Sequence, residues 1–494
     1  MFMEDDNEKI NRRNKIIITV SVIIIFVFVA ITMIFIMITG KKKIANTENK
    51  VTEANEIFDE DEEKTHDFSS ETIVDNSNAK LNKNFGKVDI IFVDENNKQI
   101  DNPEKPQLGN QLTPVKYNRS KAQFERTTLD DSEWHDYSNK KWANAIDTNG
   151  NYFVWIPRFA YKITYYSNSE YSRKIGYSDS RGILAIDDES PSNLFRICHN
   201  SSGLQEAGNH YIVEPAFMND TINSFRNGGW SSNIKGFWVA KYEMSMETNK
   251  TDINPNTIIT NDIRPASKPG VTSWRQIEIG NAFYNSYNFN RELESHMMKN
   301  TEWGAIAYLT YSKYGANSYK ISNNESRDYL TGGSNIVTEV YTSNVGQSTT
   351  QNQYGIYDLS GGAAEYISCY INNSNQYLAY GKVGEGYLLG SEGNTKYKTI
   401  YSNVNEEQSY NQRNASLNYR ANILKRGDAI IETSSDGYQS TAWNTNSSFF
   451  MQYDTPFLIR GGTYADSVSA GLFNYSSSDG QSNASNSFRV CLIY

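Results

Sequence analysis

Two of the adjacent-glycine pairs in this chain constrain its backbone more than any other feature. One pair, Gly461-Gly462, follows Arg460, and the other is Gly361-Gly362. Glycine adopts positive φ angles and lets two backbones approach where any side chain would clash. Each pair therefore predicts a tight junction, at which a neighbouring segment packs directly against the main chain.

Four charged residues lie within otherwise aromatic or apolar motifs. They are Glu302, Glu365, Arg460 and Arg489. A buried charge is tolerated when it is paired and hydrogen-bonded, and arginine forms forked contacts with carboxylates. We therefore predict buried carboxylate–guanidinium contacts among these four residues. The alternative, in which Glu302 and Glu365 act as an acid–base pair, stays open.

The negative charge of the chain is concentrated in one segment. The formal net charge of the 494 residues is −10, but residues 47–71 alone contain ten acidic residues and two lysines. The remainder is nearly neutral, whereas binding to nucleic acid requires a basic face. The composition therefore argues against nucleic acid as the main partner.

An uncharged segment of 25 residues, 16–40, is dominated by isoleucine, valine and phenylalanine. As a helix it would be about 37 Å long, enough to cross the hydrocarbon core of a membrane. It is too long for the apolar region of a cleaved signal peptide, so it predicts a single-pass anchor. Four basic residues flank it on each side. The short tail, 1–15, is expected in the cytoplasm, with a large extracellular domain at the cell membrane.

Beyond the anchor, the composition favours three further parts. Residues 41–84 contain clustered like charges and little apolar sequence, which predicts a disordered acidic linker. Short aromatic strand-like runs then predict a small β-rich N-terminal unit, 85–150, followed by the main domain, 151–494. One soluble helix is predicted, 302–311, with Trp303 on its apolar face. Few helices and many short strands favour an irregular fold of the α+β class.

Several separated motifs follow one another in an order that a known family shares. They are 153–158 (Phe-Val-Trp-Ile-Pro-Arg), 237–245 (Phe-Trp-Val-Ala-Lys-Tyr-Glu-Met-Ser), 269–274, 296–303, 354–367 and the segment from Arg460-Gly461-Gly462 to Arg489. In this order they resemble the sulfatase-modifying-factor family, which includes formylglycine-generating enzyme. The resemblance implies a C-type-lectin-like fold over 151–494, with insertions near 165–232 and 372–455. It also implies that the four charged residues, Trp303 and the glycine pairs are structural.

The catalytic groups of that family are missing from this chain. The family's two cysteines would fall near Asp466 and Gly471, and copper(I) needs soft thiolate ligands there. Cys198, Cys369 and Cys491 lie elsewhere without a Cys-x-x-Cys pair, which disfavours a thiolate zinc cluster. The five histidines are scattered as well. No catalytic residue, metal site or cofactor is therefore predicted, and Cys491 is expected to be a small buried apolar residue.

The leading functional hypothesis is a non-catalytic binding or adhesion module on the membrane anchor. Residues 463–487 are rich in tyrosine, asparagine, serine and glycine, the composition of contact loops. Tyr464, Asp466, Asn474 and Tyr475 are the candidate contacts for a glycan, peptide or protein ligand outside the cell. The alternative is that these loops are only solvated.

Two other functional hypotheses stay open. One is an enzyme of the formylglycine-generating or non-haem metal oxidase type, or a hydrolase, whose catalytic residues have moved elsewhere on the fold. The other is a receptor whose C-terminal segment is diversified by a retroelement. The sequence contains neither a Gly-x-Ser-x-Gly elbow nor a Walker-type phosphate loop that would favour a better-defined activity.

Overall fold

The structure of the protein, a computed structural model, covers most residues from 86 onward. The described residues are 86–165, 185–186, 196–197, 211–219, 228–248, 256–334, 341–382, 388, 396–404, 412–422, 425–434, 437–438 and 442–494. The chain divides into two units, Met1–Ile73 and Val74–Tyr494, and all described residues belong to the second.

Short strands dominate the described residues. In chain order they are β1 (Gly86–Val93), β2 (Gln99–Ile100), β3 (Thr113–Asn118), β4 (Gln123–Arg126), β5 (Asn144–Ile146), β6 (Tyr152–Pro157), β7 (Phe159–Tyr165), β8 (Ala185–Ile186), β9 (Arg196–Ile197), β10 (Ile212–Val213), β11 (Gly236–Ala240), β12 (Ser245–Thr248), β13 (Ile263–Ala266), β14 (His296–Met297), β15 (Ala364–Ile371), β16 (Thr399–Tyr401), β17 (Phe457–Gly461), β18 (Gly471–Ser478), β19 (Asn486–Phe488) and β20 (Val490–Leu492). The α-helices of the described residues are α1 (Ile279–Tyr287), α2 (Asn300–Tyr311) and α3 (Gln412–Ala421). The prediction of an α+β fold with few helices and many short strands is confirmed.

The strands of the described residues form four sheets. A six-stranded sheet has the order β2-β1-β7-β9-β8, with β10 also paired to β7, and a seven-stranded sheet has the order β14-β20-β11-β6-β5-β3-β4. A five-stranded sheet has the order β16-β15-β17-β18, with β19 also paired to β15, and β12 pairs with β13. The pairings of β15 with β16 and with β19 are parallel. Strands from distant parts of the sequence are therefore neighbours in the sheets.

The predicted boundary near residue 150 does not separate two bodies. β5 ends before it and β6 begins after it, yet the two strands pair, with Ala145 opposite Phe153. β3 and β4 continue the same sheet beyond β5. The predicted N-terminal unit, 85–150, therefore shares a continuous sheet with the main domain.

Helix α2 lies in the core. Every one of its residues is buried, and it contacts β1 and β15. A helix that is buried on all sides needs no polar face, which fits its run Trp-Gly-Ala-Ile-Ala-Tyr-Leu. The predicted helix 302–311 is thus confirmed, and it begins two residues earlier, at Asn300. The sequence pattern predicts neither α1 nor α3.

The expectation of a preceding transmembrane helix is corrected. Among the described residues, no helix combines the length and the apolar character that crossing a membrane requires. The segment 16–40, the tail 1–15 and the linker 41–84 lie outside the described residues. We therefore do not retain the single-pass arrangement, the cell-membrane location or the extracellular placement of the domain.

Two insertions into the main domain were also predicted. The first, 165–232, is described only in parts, and the second, 372–455, contains β16 and α3.

Candidate ligand-binding site

One predicted ion pair is present in the core. Arg489 and Glu365 are both fully buried. The guanidinium Nη2 lies 2.5 Å from Glu365 Oε1, and Nε lies 2.9 Å from Oε2, a forked contact of the strong kind. Arg489 also donates hydrogen bonds to the carbonyl oxygens of Ala240 (2.8 Å) and Tyr357 (3.0 Å). The prediction is confirmed for this pair, which joins β15 to the junction of β19 and β20.

The other two predicted charges have different partners. Arg460 is fully buried and donates to five oxygen atoms, none of them from a carboxylate. They are Asn300 Oδ1 and the carbonyl oxygens of Asp428, Ala429, Leu472 and Asn474. Glu302 bonds to the His296 ring and to the backbone N–H of Lys299, each at 2.9 Å. The prediction is therefore wrong for Arg460 and Glu302. Because Glu302 and Glu365 are buried with separate partners, the geometry does not support an acid–base pair either.

The two predicted glycine junctions lie against each other. The φ angle is +76° at Gly361 and +72° at Gly362, and it is +83° at Gly461 and +73° at Gly462. A Cβ at Gly361 would lie 2.4 Å from the carbonyl oxygen of Asn324, closer than real contacts allow. The Gly361 N–H donates to the Gly461 carbonyl at 3.4 Å. The backbone therefore requires glycine in both pairs, as predicted. The loop that begins at Thr463 follows the second pair directly.

Two of the four predicted contact residues lie in the core. Tyr475 is fully buried, and its hydroxyl lies 2.6 Å from Ser434 Oγ. Asn474 is 4% exposed, and its amide donates to the Ser469 carbonyl at 2.8 Å. Both belong to β18, whose first five residues are buried. The expectation of ligand contacts is corrected for these two residues, because neither is available at the surface.

The other two predicted contact residues reach the surface. Tyr464 is partly exposed, and its ring packs edge-on against Tyr329 with 5.0 Å between centroids. The Arg275 guanidinium lies 3.8 Å from the centre of the Tyr329 ring, and these three side chains are called the tyrosine surface below. Asp466 is exposed, but its carboxylate accepts hydrogen bonds from the N–H (2.6 Å) and hydroxyl (3.0 Å) of Thr463. Asp466 thus stabilises the loop that presents Tyr464.

An open cleft of about 370 Å³ lies beside the β3–β4 hairpin and is called the hairpin cleft below. Its lining combines aromatic, amide and charged side chains: Lys116, Tyr117, Asn118, Arg119, Glu125, Glu133, Lys141 and Tyr354. The side-chain oxygen of Asn118 accepts hydrogen bonds from the backbone N–H groups of Ser120 (3.0 Å) and Lys121 (3.2 Å). This Asx turn closes the hairpin and fixes the rim of the cleft.

Phe124 positions the two tyrosines of the hairpin cleft. Tyr117 lies opposite Phe124 across the β3–β4 pair, with 5.4 Å between ring centroids. Tyr354 contacts Phe124 edge to face at 5.9 Å. Such contacts favour one ring orientation. Partial burial raises the pKa of both tyrosine hydroxyls, so both remain neutral hydrogen-bond donors at physiological pH.

The charges around the hairpin cleft are unequally paired. Lys116 lies 3.4 Å from Glu133 and contacts a second carboxylate at 2.7 Å. Glu125 contacts a lysine outside the lining at 2.5 Å. For Arg119 and Lys141, the described part of the chain contains no carboxylate partner. The cleft therefore presents two cations that no described carboxylate neutralises.

A second open cleft, of about 410 Å³, lies beside β12, β13 and Phe289. Its lining includes three acidic residues, among them Asp147 and Glu247, and two arginines. One of these, Arg291, already donates to the carbonyl oxygens of Tyr287 and Ser295, both at 2.8 Å. The charge of this cleft does not favour an anionic ligand, in contrast to the hairpin cleft.

The described cysteines do not have the surroundings of catalytic nucleophiles. Cys369 and Cys491 are fully buried, and neither forms a disulfide. Burial raises the pKa of both thiols, which disfavours the thiolate that attacks substrates. The prediction that Cys491 is buried is confirmed, and Cys198 lies outside the described residues.

Two comparisons with known sequences find no match for this chain. No protein-family model matches it, and no curated protein matches it. The resemblance to sulfatase-modifying factors, and the C-type-lectin-like fold that it implies, gain no support from these comparisons. The geometry of the described residues is therefore the basis for assigning a function.

Proposed function

We propose that this protein is a non-catalytic binding module that takes an anionic carbohydrate in the hairpin cleft. The observation that supports this most directly is the pair of uncompensated cations, Arg119 and Lys141, in a cleft that two tyrosine rings also line. The volume of about 370 Å³ falls in the range of small-ligand sites, about 300–1,000 Å³. A sugar that bears a carboxylate or a sulfate matches this combination.

Each part of the cleft matches one feature of such a ligand. The faces of Tyr117 and Tyr354 are the negative part of the ring quadrupole, which attracts the C–H bonds of a sugar ring. The neutral phenols exchange hydrogen bonds with sugar hydroxyls. Arg119 offers a planar fork to the carboxylate or sulfate, and Lys141 adds a point charge.

The two carboxylates of the cleft support binding rather than hydrolysis. A glycosidase needs a carboxylic acid with a raised pKa, so that it can protonate the leaving group. The pKa of Glu125 is lowered, first by its hydrogen bond from Lys121 and then by the one from Asn118. Glu133 is exposed and lies 3.4 Å from Lys116. Neither residue suits the role of general acid.

The test measures the affinity of the full-length protein for matched acidic and neutral oligosaccharides by isothermal titration calorimetry. We expect binding of the acidic sugars only, with an affinity that falls as salt is added. Arg119→Ala and Lys141→Ala should each weaken binding roughly tenfold, the effect of one charge-assisted hydrogen bond. Arg126→Ala is the matched control, because Arg126 is an exposed cation on the same hairpin but outside the cleft lining.

Three results would count against this function. Equal affinity for neutral sugars would contradict the role of the cations. Unchanged affinity in both cleft variants would show that the ligand binds outside the hairpin cleft. Binding of acidic peptides in place of acidic sugars would contradict the ligand class.

A second candidate function, recognition of a peptide or protein, is favoured by the tyrosine surface. Tyr464, Tyr329 and Arg275 pack together at partly exposed positions. Tyrosine and arginine supply much of the binding energy in many protein interfaces. Selection of displayed peptides against the full-length protein tests this candidate. Peptides that bind the tyrosine surface should lose affinity for the Tyr464→Ala variant, whereas the affinity of that variant for sugars should stay unchanged.

A further inference from the structure

Three buried side chains from distant parts of the sequence meet in the core. His296 on β14 lies opposite Cys491 on β20, and Glu302 in the first turn of α2 lies beside both. Their nitrogen, sulfur and oxygen donor atoms all lie within 4.8 Å of one another, and all three residues are fully buried. They are called the buried triad below.

The hydrogen bonds of His296 place its Nε2 atom against the Glu302 carboxylate. Nδ1 lies 2.8 Å from the carbonyl oxygen of Glu294. This oxygen only accepts, so Nδ1 holds the proton of the neutral ring. In the neutral ring, the lone pair of Nε2 faces Glu302 Oε1 at 2.9 Å, and the two atoms repel unless a proton or a metal cation lies between them. A ring N–H donated to a backbone carbonyl is also usual for metal-bound histidine.

The donor set of the buried triad suits zinc. Zn²⁺ binds imidazole nitrogen, thiolate sulfur and carboxylate oxygen at about 2.0–2.3 Å in tetrahedral geometry, which sets the donors about 3.3–3.7 Å apart. The separation between His296 and Glu302 would widen by about half an ångström to reach this range. Magnesium and calcium prefer oxygen ligands, so Cys491 favours the softer ion.

The neighbouring lysine forms only a long ion pair with the Glu302 carboxylate. Lys299 Nζ lies 3.9 Å from Glu302 Oε1, beyond hydrogen-bonding distance. It donates to the carbonyl oxygens of Gly228 (2.6 Å) and Lys396 (3.0 Å) and lies 3.6 Å from the centre of the Trp230 ring. Since these groups stabilise the ammonium, Glu302 and a Cys491 thiolate together can balance a dication.

We propose that the buried triad is a zinc site, in which His296, Glu302 and Cys491 hold one ion and tie together β14, α2 and β20. Zinc displaces the thiol proton and the proton shared between the imidazole and the carboxylate. One dication thus replaces two protons, and the net charge of the triad does not change. This inference departs from the sequence-based expectation of no metal site, and it is independent of the hairpin cleft.

The test is the zinc content of the untagged full-length protein, measured by mass spectrometry after zinc loading and gel filtration. We expect about one ion per chain, lost in Cys491→Ser and in His296→Asn. Cys369→Ser is the matched control and should keep its zinc, because Cys369 is equally buried on a strand but outside the triad. After cobalt substitution, the thiolate-to-cobalt band in the near ultraviolet should appear in the wild type and the control only.

Two outcomes overturn the proposal: a zinc-free wild-type protein after loading, and wild-type zinc content in both triad variants. If the triad variants fail to fold, the wild-type protein alone decides. Zinc should then raise its Tm in a concentration-dependent way that a chelator reverses. The absence of both this shift and the cobalt band overturns the proposal as well.

Discussion

Replacing Arg489 with methionine would leave the Glu365 carboxylate buried without its cationic partner. The guanidinium also donates to the carbonyl oxygens of Ala240 and Tyr357. Removing one member of a buried ion pair costs about 3–5 kcal/mol. The two carbonyl groups that lose a donor bring the expected loss to the upper end of that range. The free energy of unfolding should therefore fall by about 5 kcal/mol, a large part of the stability of an ordinary domain.

Urea unfolding followed by tryptophan fluorescence measures this loss. The double variant Arg489→Met/Glu365→Leu removes both charges, so it should recover much of the stability, because apolar replacements of a buried pair are often neutral. Lys121→Met, which breaks a largely exposed pair with Glu125, should leave the unfolding midpoint unchanged. A loss below about 1 kcal/mol in Arg489→Met, or a double variant no more stable than the single one, would refute the reasoning.

Two further predictions concern the glycine junction and a partly buried lysine. Gly361→Ala should lower the urea midpoint strongly, because its Cβ would lie 2.4 Å from the Asn324 carbonyl oxygen. Gly270 also has a positive φ but open space around it, so Gly270→Ala should cost only about 1 kcal/mol of backbone strain. Equal midpoints for the two variants would contradict the close approach of Asn324 to Gly361. Partial burial lowers the pKa of Lys320 from 10.5 to about 8. As the pH rises, the folded protein therefore loses this proton before the unfolded chain does. Because the unfolded chain binds more protons between about pH 8 and pH 10, Lys320 makes the free energy of unfolding rise over this range. Lys320→Met should remove that part of the rise when urea midpoints are measured at successive pH values, and an unchanged slope would show that another group is responsible.

The sequence predicted those features that depend on neighbouring residues or on the need to pair buried charges. Helix α2 follows from its apolar run, and the carboxylate of Glu302 accepts a hydrogen bond from the Lys299 N–H at its first turn. The pairing of Arg489 with Glu365 follows because a buried charge needs a counter-charge. The same rule failed for Arg460, since five amide and carbonyl oxygens can stabilise a guanidinium without a carboxylate.

Contacts between distant parts of the sequence could not be predicted. The residues next to Tyr475 in the sequence have the composition of a contact loop. In the structure, however, β18 pairs with β17, and Tyr475 lies opposite Arg460 in the core. Tyr354 reaches the hairpin cleft from more than 200 residues beyond Tyr117, and no local pattern connects them. The buried triad likewise depends on the pairing of β14 with β20, which brings His296 to Cys491.

The position of β11 in its sheet has a consequence for biosynthesis. β11 pairs with β6 on one side and with β20 on the other, where Val239 lies opposite Cys491. About 250 residues must be translated after β11 before that second neighbour exists. At about 5–20 residues per second, the ribosome needs roughly 13–50 s for them. Throughout this time the backbone groups on one side of β11 lack their partners in β20, and such an unpaired strand edge can pair with other nascent chains.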